Sequence, residues 1–326
     1  MRRWLMRLTM VLGGTLVGAV AADLLATALR LVPPAHQQPV RLKYHDFIQN
    51  RYGVQDVEHA LPKPPGTRRI VVLGDSFTVT EGWDIRYDDL FGPYLARRLQ
   101  AMDPSHRYEA ILCARAGWTT VDEVTAYIHL CERFEPDWVI LAYVLNDVES
   151  DAARPEAITV EDLFYRPRSR LERWLVEHSS LYRLWFLRHE WPRLKAAWQA
   201  YFRSIYMANP RGIQRWHRAM DILAERTRAR GVPVIVIIFP FFDYPLDKTY
   251  PFADIHAWVA QEARRRGFAV VDLWRTTFFG QASDALQVRP GYDAHPNARA
   301  HRMVGDTLAR LFQEWRLLPA VAYTGK

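Results

Sequence analysis

From residue 69 to residue 315, short runs of consecutive apolar residues alternate with longer stretches whose apolar positions recur every three to four residues. The short runs are 69–73 (RIVVL), 108–113 (YEAILC), 138–144 (WVILAYV), 232–239 (VPVIVIIF) and 268–273 (FAVVDL). They lack the strict one-in-two alternation of a strand with one wet face, so they read as strands buried on both sides. Helix-period segments lie near 88–101, 120–134, 212–230 and 251–266, and a last one follows at 297–315. Apolar strands alternating with amphipathic helices predict a five-stranded parallel sheet covered on both faces.

Two stretches break this rhythm. At the N-terminus, Arg2, Arg3 and Arg7 precede an apolar stretch from Leu8 to Ala22, then Asp23, then a second apolar segment to Val32. One reading is a signal peptide ending at the small residues Ala19-Val20-Ala21. The favoured reading is one helix from Leu8 to about Leu31, long enough to span a bilayer, with the arginines on the cytoplasmic side. Either way the rest of the chain is exported, to a periplasmic or extracellular site. Pro33 and Pro34 stop that helix. The predicted division is residues 1–34 as anchor or signal, 35–67 as a turn-rich tether, and 68–320 as the α/β domain. The second irregular stretch is a helical insertion at about 150–211, rich in aromatic residues and arginine. It reads either as a subdomain packed on the sheet, with Trp174, Trp185, Trp191 and Trp198 in its core, or as a cover over a cleft or a surface resting on the membrane.

Composition narrows the chemistry. The 326 residues carry a formal charge of +7, dispersed among many helices with no basic run, which argues against nucleic acid as a partner. Cys113 and Cys131 are the only cysteines, too few for a disulfide framework or a metal-ligand set. They are expected as buried free thiols, a single bridge being the alternative in an oxidising compartment. His178, His189 and His217 lack ligand spacing, and no metal or cofactor is implied.

In an open parallel sheet, ligands bind beyond the carboxyl ends of the strands. The residues there are Gly74-Asp75-Ser76 after the first run, Ala114-Arg115-Ala116-Gly117 after the second and Asn146-Asp147 after the third. Beyond the fifth comes Gly291-Tyr292-Asp293-Ala294-His295-Pro296-Asn297. A serine hydroxyl becomes a nucleophile when a histidine takes its proton and a carboxylate orients that histidine. Ser76, His295 and Asp293 supply those parts. The N–H of Ser76 at a helix start, the N–H of Gly117 and the amide of Asn146 supply donors for a developing oxyanion. Gly117 is expected to be glycine because a side chain there would block approach to the substrate oxygen.

Gly74-Asp75-Ser76-Phe77, the glycine after the second strand, Asn146-Asp147 and Asp293-x-His295-Pro296-Asn297 together resemble the four sequence blocks of the SGNH (GDSL-type) hydrolase superfamily. The resemblance covers residues 69 to about 315. It implies a flavodoxin-like three-layer αβα sandwich and esterase or acyltransferase chemistry. Its implied site is Ser76 as nucleophile, His295 as base, Asp293 as orienting acid, and Ser76, Gly117 and Asn146 as the oxyanion hole. Val144 stands where the third block usually has glycine, and the last block reads D-x-H rather than D-x-x-H, with Asp284 as the alternative acid. The shorter spacing is similar to exported members acting on polysaccharide acyl groups. The implied substrate is an O-acyl ester, foremost O-acetyl on cell-surface carbohydrate. A lipid ester, acyl transfer to a sugar, or a non-catalytic glycan binder are the alternatives. The GxSxG elbow of α/β-hydrolases is absent. Asp75 and Asp147 are expected to be structural, His301 to be packed or at the surface, and Asp243 and Asp247 to face the same sheet edge.

Overall fold

The computed structural model describes residues 2–29, 31–32, 49–79, 85–148, 169–289 and 293–318. Its elements run α1 (Arg2–Ala28), β1 (Thr67–Gly74), α2 (Phe91–Met102), β2 (Arg107–Ala114), α3 (Thr120–His129) and β3 (Trp138–Tyr143). There follow α4 (Arg170–His178), α5 (Ser180–Met207), α6 (Pro210–Ala229), β4 (Val234–Ile238), α7 (Ala253–Arg265) and β5 (Ala269–Asp272). Last come β6 (Gln287–Arg289), β7 (Asp293–Pro296) and α8 (Ala298–Glu314). The chain divides into two units, one of residues 42–154 with 201–326 and one of residues 1–41 with 155–200.

The larger unit is the predicted α/β sandwich. Its five strands are all parallel, in the order β2-β1-β3-β4-β5. Ile70 to Leu73, Val139 to Tyr143 and Val236 to Ile238 are wholly buried, as strands covered on both faces require. The order matters for the site. The chain leaves β1 for β2 on one side and then returns to β3 on the other, which opens a crevice beyond their carboxyl ends. Gly74 at the end of β1 lies opposite Ala142 of β3, so the loops carrying Ser76 and Asn146 emerge side by side.

Several features had no sequence signal. Arg69 in β1 is fully buried; its guanidinium donates to Glu109, to the Phe134 carbonyl and to the Ala60 carbonyl. Within the segment expected to be a plain tether, Asp56 is buried and accepts from the Leu112 N–H of edge strand β2 and from the Tyr87 hydroxyl. That contact occupies an outward-facing N–H of the edge strand. The expectation of free thiols is wrong: Cys113 of β2 and Cys131 just beyond α3 form a disulfide, with Cα atoms 6.3 Å apart. The fold-back of α3 brings together residues 18 positions apart, and closing that loop stabilises the fold by about 3 kcal/mol. Strands β6 and β7 form an antiparallel hairpin, too short and too polar to register as an apolar run.

In the smaller unit, α1 contains an apolar stretch, Thr9–Ala28, with mean hydropathy 1.7 and the length to cross a membrane. Trp198 is buried, but Trp174 is 55% exposed and Trp185 47% exposed. The reading of the insertion's tryptophans as core therefore fails for these two, which lie on outward faces of α4 and α5.

Candidate active site

The site begins where β1 stops. A Cβ on Gly74 would collide with Thr78 Oγ1 and would lie 2.9 Å from Thr78 Cβ and 3.1 Å from Ala142 Cβ. Only glycine lets the chain turn this tightly against β3. The turn closes when Thr78 N and Val79 N both donate to the Asp75 carbonyl. Ser76 thus stands on a turn rather than at a helix start, and the next α-helix among the described residues, α2, begins at Phe91.

Ser76 Oγ lies 3.0 Å from His295 Nε2, and His295 Nδ1 lies 2.6 Å from Asp293 Oδ1. Asp293 and His295 are two residues apart on β7, and side chains at i and i+2 of a strand share one face. That is why the D-x-H spacing works here: the hairpin, rather than a helix, presents both groups. Asp293 Oδ1 also accepts from the His295 backbone N–H at 3.1 Å, which fixes the carboxylate against the ring. With Nδ1 donating to Asp293, Nε2 is left as the acceptor for the serine proton. Phe77, stacked on Phe242, lies against the imidazole with ring centres 5.2 Å apart. The alternative acid, Asp284, is exposed in the turn Ser283–Leu286.

The candidate oxyanion donors are placed unequally. Asn146 Nδ2 donates to Asp75 Oδ2 at 3.0 Å, which leaves its second amide N–H for a ligand. Asp75 is fully buried, and its other oxygen accepts from Phe77 N at 2.8 Å. One carboxylate therefore ties the serine turn to the asparagine loop. That loop is further held by Tyr206, whose hydroxyl donates to the Leu145 carbonyl. Gly117 has φ +80° in the turn Arg115–Trp118, and a Cβ there would meet nothing within 4 Å. That backbone conformation is itself a reason for glycine here, separate from the expected approach of the substrate oxygen.

Close enough to Asp75 and Asp147 to act on their charges lies a residue the sequence did not single out. Glu123, in the first turn of α3, is wholly buried, and among the described residues neither carboxyl oxygen has a hydrogen-bond partner. Burial, then the charges of Asp75 and Asp122, push its pKa well above the usual carboxylate range. Asp147 is also raised, by burial and by Glu123 and Asp75, although it accepts from Val144 N and the Thr120 hydroxyl. Nothing in a helical heptad distinguishes such a glutamate from a solvent-facing one. His301 is buried, accepts from Phe91 N at 3.4 Å and is lowered to about 3 by burial. Asp247 is exposed and accepts from Thr249. Among the described residues no group of three or more His, Cys, Asp or Glu is placed to hold a metal ion.

A hydroxyl, an imidazole and a carboxylate lie in line at the carboxyl edge of a parallel sheet, beside a glycine turn and a half-buried asparagine, an arrangement suited to hydrolysis. The chain belongs to the GDSL-like lipase/acylhydrolase family, whose sequence model matches residues 72–303, and it is a carboxylic ester hydrolase. A comparison with curated proteins finds no match. Among solved structures, the lipase/acylhydrolase from Enterococcus faecalis is similar at 14% identity and TM-score 0.46, covering 76% of this chain and 96% of its own. The psychrotrophic esterase EstA from Pseudoalteromonas sp. is similar at 15% identity and TM-score 0.44, covering 77% and 100%. A catalytic mutant of Axe2, an acetylxylan esterase from Geobacillus stearothermophilus, is similar at 16% identity and TM-score 0.45, covering 74% and 93%.

Proposed function

We propose that the protein is an exported, membrane-anchored serine esterase that cleaves O-acyl esters, foremost O-acetyl groups, on cell-surface carbohydrate. The observation that carries the catalytic part is the unbroken line Ser76 Oγ, His295 Nε2, His295 Nδ1, Asp293 Oδ1. Ser76 attacks the ester carbonyl while His295 takes its proton, and Asp293 stabilises the imidazolium. The carbonyl oxygen takes up the negative charge, facing the Ser76 and Gly117 N–H groups and the second amide N–H of Asn146. The alcohol leaves with the proton from His295, and the acyl group stays on Ser76. Water, deprotonated by the same histidine, then releases the acid and restores the serine. A sugar hydroxyl in place of water would make the protein an O-acyltransferase.

The apolar stretch of α1 behind three arginines supports an anchor with the catalytic domain outside the cytoplasm. The Cys113–Cys131 disulfide supports an oxidising compartment. The carbohydrate ester rests on the D-x-H block and on the anchor. A second reading, a lipid esterase or lysophospholipase, is favoured by the exposed Trp174 and Trp185. Reaction with a fluorophosphonate probe, lost in Ser76→Ala, tests the nucleophile, and an unreactive wild-type protein would leave only the glycan-binding alternative. Rates on acetyl and long-chain nitrophenyl esters separate the two substrates: a clear long-chain preference rejects the acetyl reading.

A further inference from the structure

Asp23 is the costly residue of the apolar helix, and the structure gives it a task. Its Oδ1 accepts from Ser179 Oγ and from Leu181 N, both at 2.7 Å. The Leu181 N–H is among the donors left over at the start of α5, so Asp23 caps one helix from another. One turn further along α1, Thr27 Oγ1 donates to Ser180 Oγ at 2.7 Å. That same buried oxygen accepts from Arg183 Nη2 at 2.7 Å. The end of the apolar helix is therefore clamped to the α4–α5 junction. From Thr9 to Ala28 only Ala26 is buried and Asp23 half-buried, and the other residues are exposed. Trp4, exposed near the other end, lies 23 residues before Thr27, or about 35 Å along a helix, against roughly 30 Å for a hydrocarbon core.

The two helices that meet at the clamp, α4 and α5, also expose large apolar side chains. Leu171 is 67% exposed and Trp174 55%, at i and i+3 on α4; Leu181 and Trp185, at i and i+4, are exposed on α5. Trp174 stacks on His178, and Trp185 lies between Tyr182 and His189. Arg170, Arg188 and Arg193 are exposed on the same two helices. Tryptophan with arginine beside the end of a spanning helix is the composition of a bilayer interface.

We infer that α4 and the first turns of α5 form a collar seated in the lipid headgroup region, positioned there by the Asp23 and Thr27 clamp. This rests on the anchor reading, and the experiment separates the two. Single-cysteine variants Leu171→Cys and Trp174→Cys of the full chain are labelled with an environment-sensitive fluorophore, since the native cysteines are paired, and are reconstituted in phosphatidylcholine–phosphatidylglycerol vesicles. Arg107→Cys, exposed on the sheet unit, is the aqueous control. The expected result is a blue shift and several-fold stronger quenching by a lipid-borne quencher at both collar positions than at the control. Adding Asp23→Ala should lessen that quenching while carbonate washing still leaves the chain in the membrane. Release by carbonate would defeat the anchor. Retention with collar labels as water-exposed as the control would defeat the collar alone. Protection in native membranes but not in pure lipid would assign the face to a protein and overturn the inference, as would an Asp23→Ala label that does not change.

Discussion

Asp293 and Glu123 are two acids of one domain in opposite circumstances. Asp293 sits at the rim, partly open to water, with a histidine and a backbone N–H on the same oxygen. Glu123 is wholly buried with no hydrogen-bond partner among the described residues. The first site stabilises negative charge and can lend it to an imidazolium. The second disfavours charge and favours the protonated carboxyl. Asp75 stands between them: it is buried like Glu123 but accepts two hydrogen bonds, one of which orients Asn146. What separates these acids is the supply of donors, because burial without donors raises a carboxyl pKa and donors offset that rise.

The contrast breaks most visibly at the rim. Asp293→Asn should lower kcat by roughly 10³ to 10⁴ with little change in melting temperature, because the imidazole loses the partner that sets its tautomer. Equal losses in Glu123→Gln would erase the distinction. Asp75→Ala should follow, with kcat down roughly 10²-fold as Asn146 loses its orientation, and stability down by about 1 to 3 kcal/mol by denaturant titration. If only stability moves, Asp75 serves the turn and not the oxyanion donors. Replacing both cysteines by alanine touches neither acid; it should cost about 3 kcal/mol in denaturant titration and leave kcat unchanged.

The smallest effect is a slope. Glu123 has a folded pKa above its unfolded one, so the folded state holds the extra proton between the two values. Stability therefore falls as pH rises beyond the ordinary glutamate range and keeps falling through the folded pKa. Glu123→Gln removes that contribution. Its melting temperature should decline less from pH 5 to pH 9 than that of the wild type, and kcat at neutral pH should be retained. A parallel decline in both proteins would show that Glu123 is already ionised in the fold.

The strands of the parallel sheet were legible because burial on both faces leaves unbroken apolar runs, and each of those five lies within two residues of its expected place. Asp293 and His295 could be singled out as a pair by their spacing, yet the sequence does not say that a hairpin presents them. The Cys113–Cys131 bridge was visible only as an alternative to free thiols, and the buried Arg69 and Glu123, which has no hydrogen-bond partner among the described residues, left no mark. Each depends on what faces a residue from a distant segment, and an isolated helix or strand carries no record of that. Trp174 and Trp198 lie in one aromatic-rich stretch, and only packing put one outside and the other inside.

The sequence by itself determined the parallel sheet, the apolar N-terminal helix and the set of polar residues at the strand ends, because periodicity and strand direction are local properties. Tertiary structure alone decided that Ser76 meets His295 across 219 positions of chain, that Asp75 holds Asn146, and that Asp23 caps a helix it does not belong to. Those are distances between remote segments, set by how a twisted sheet brings its loops to one edge and how helices clamp to one another. The GDS turn is legible as a motif; its partner across the crevice is a product of the fold.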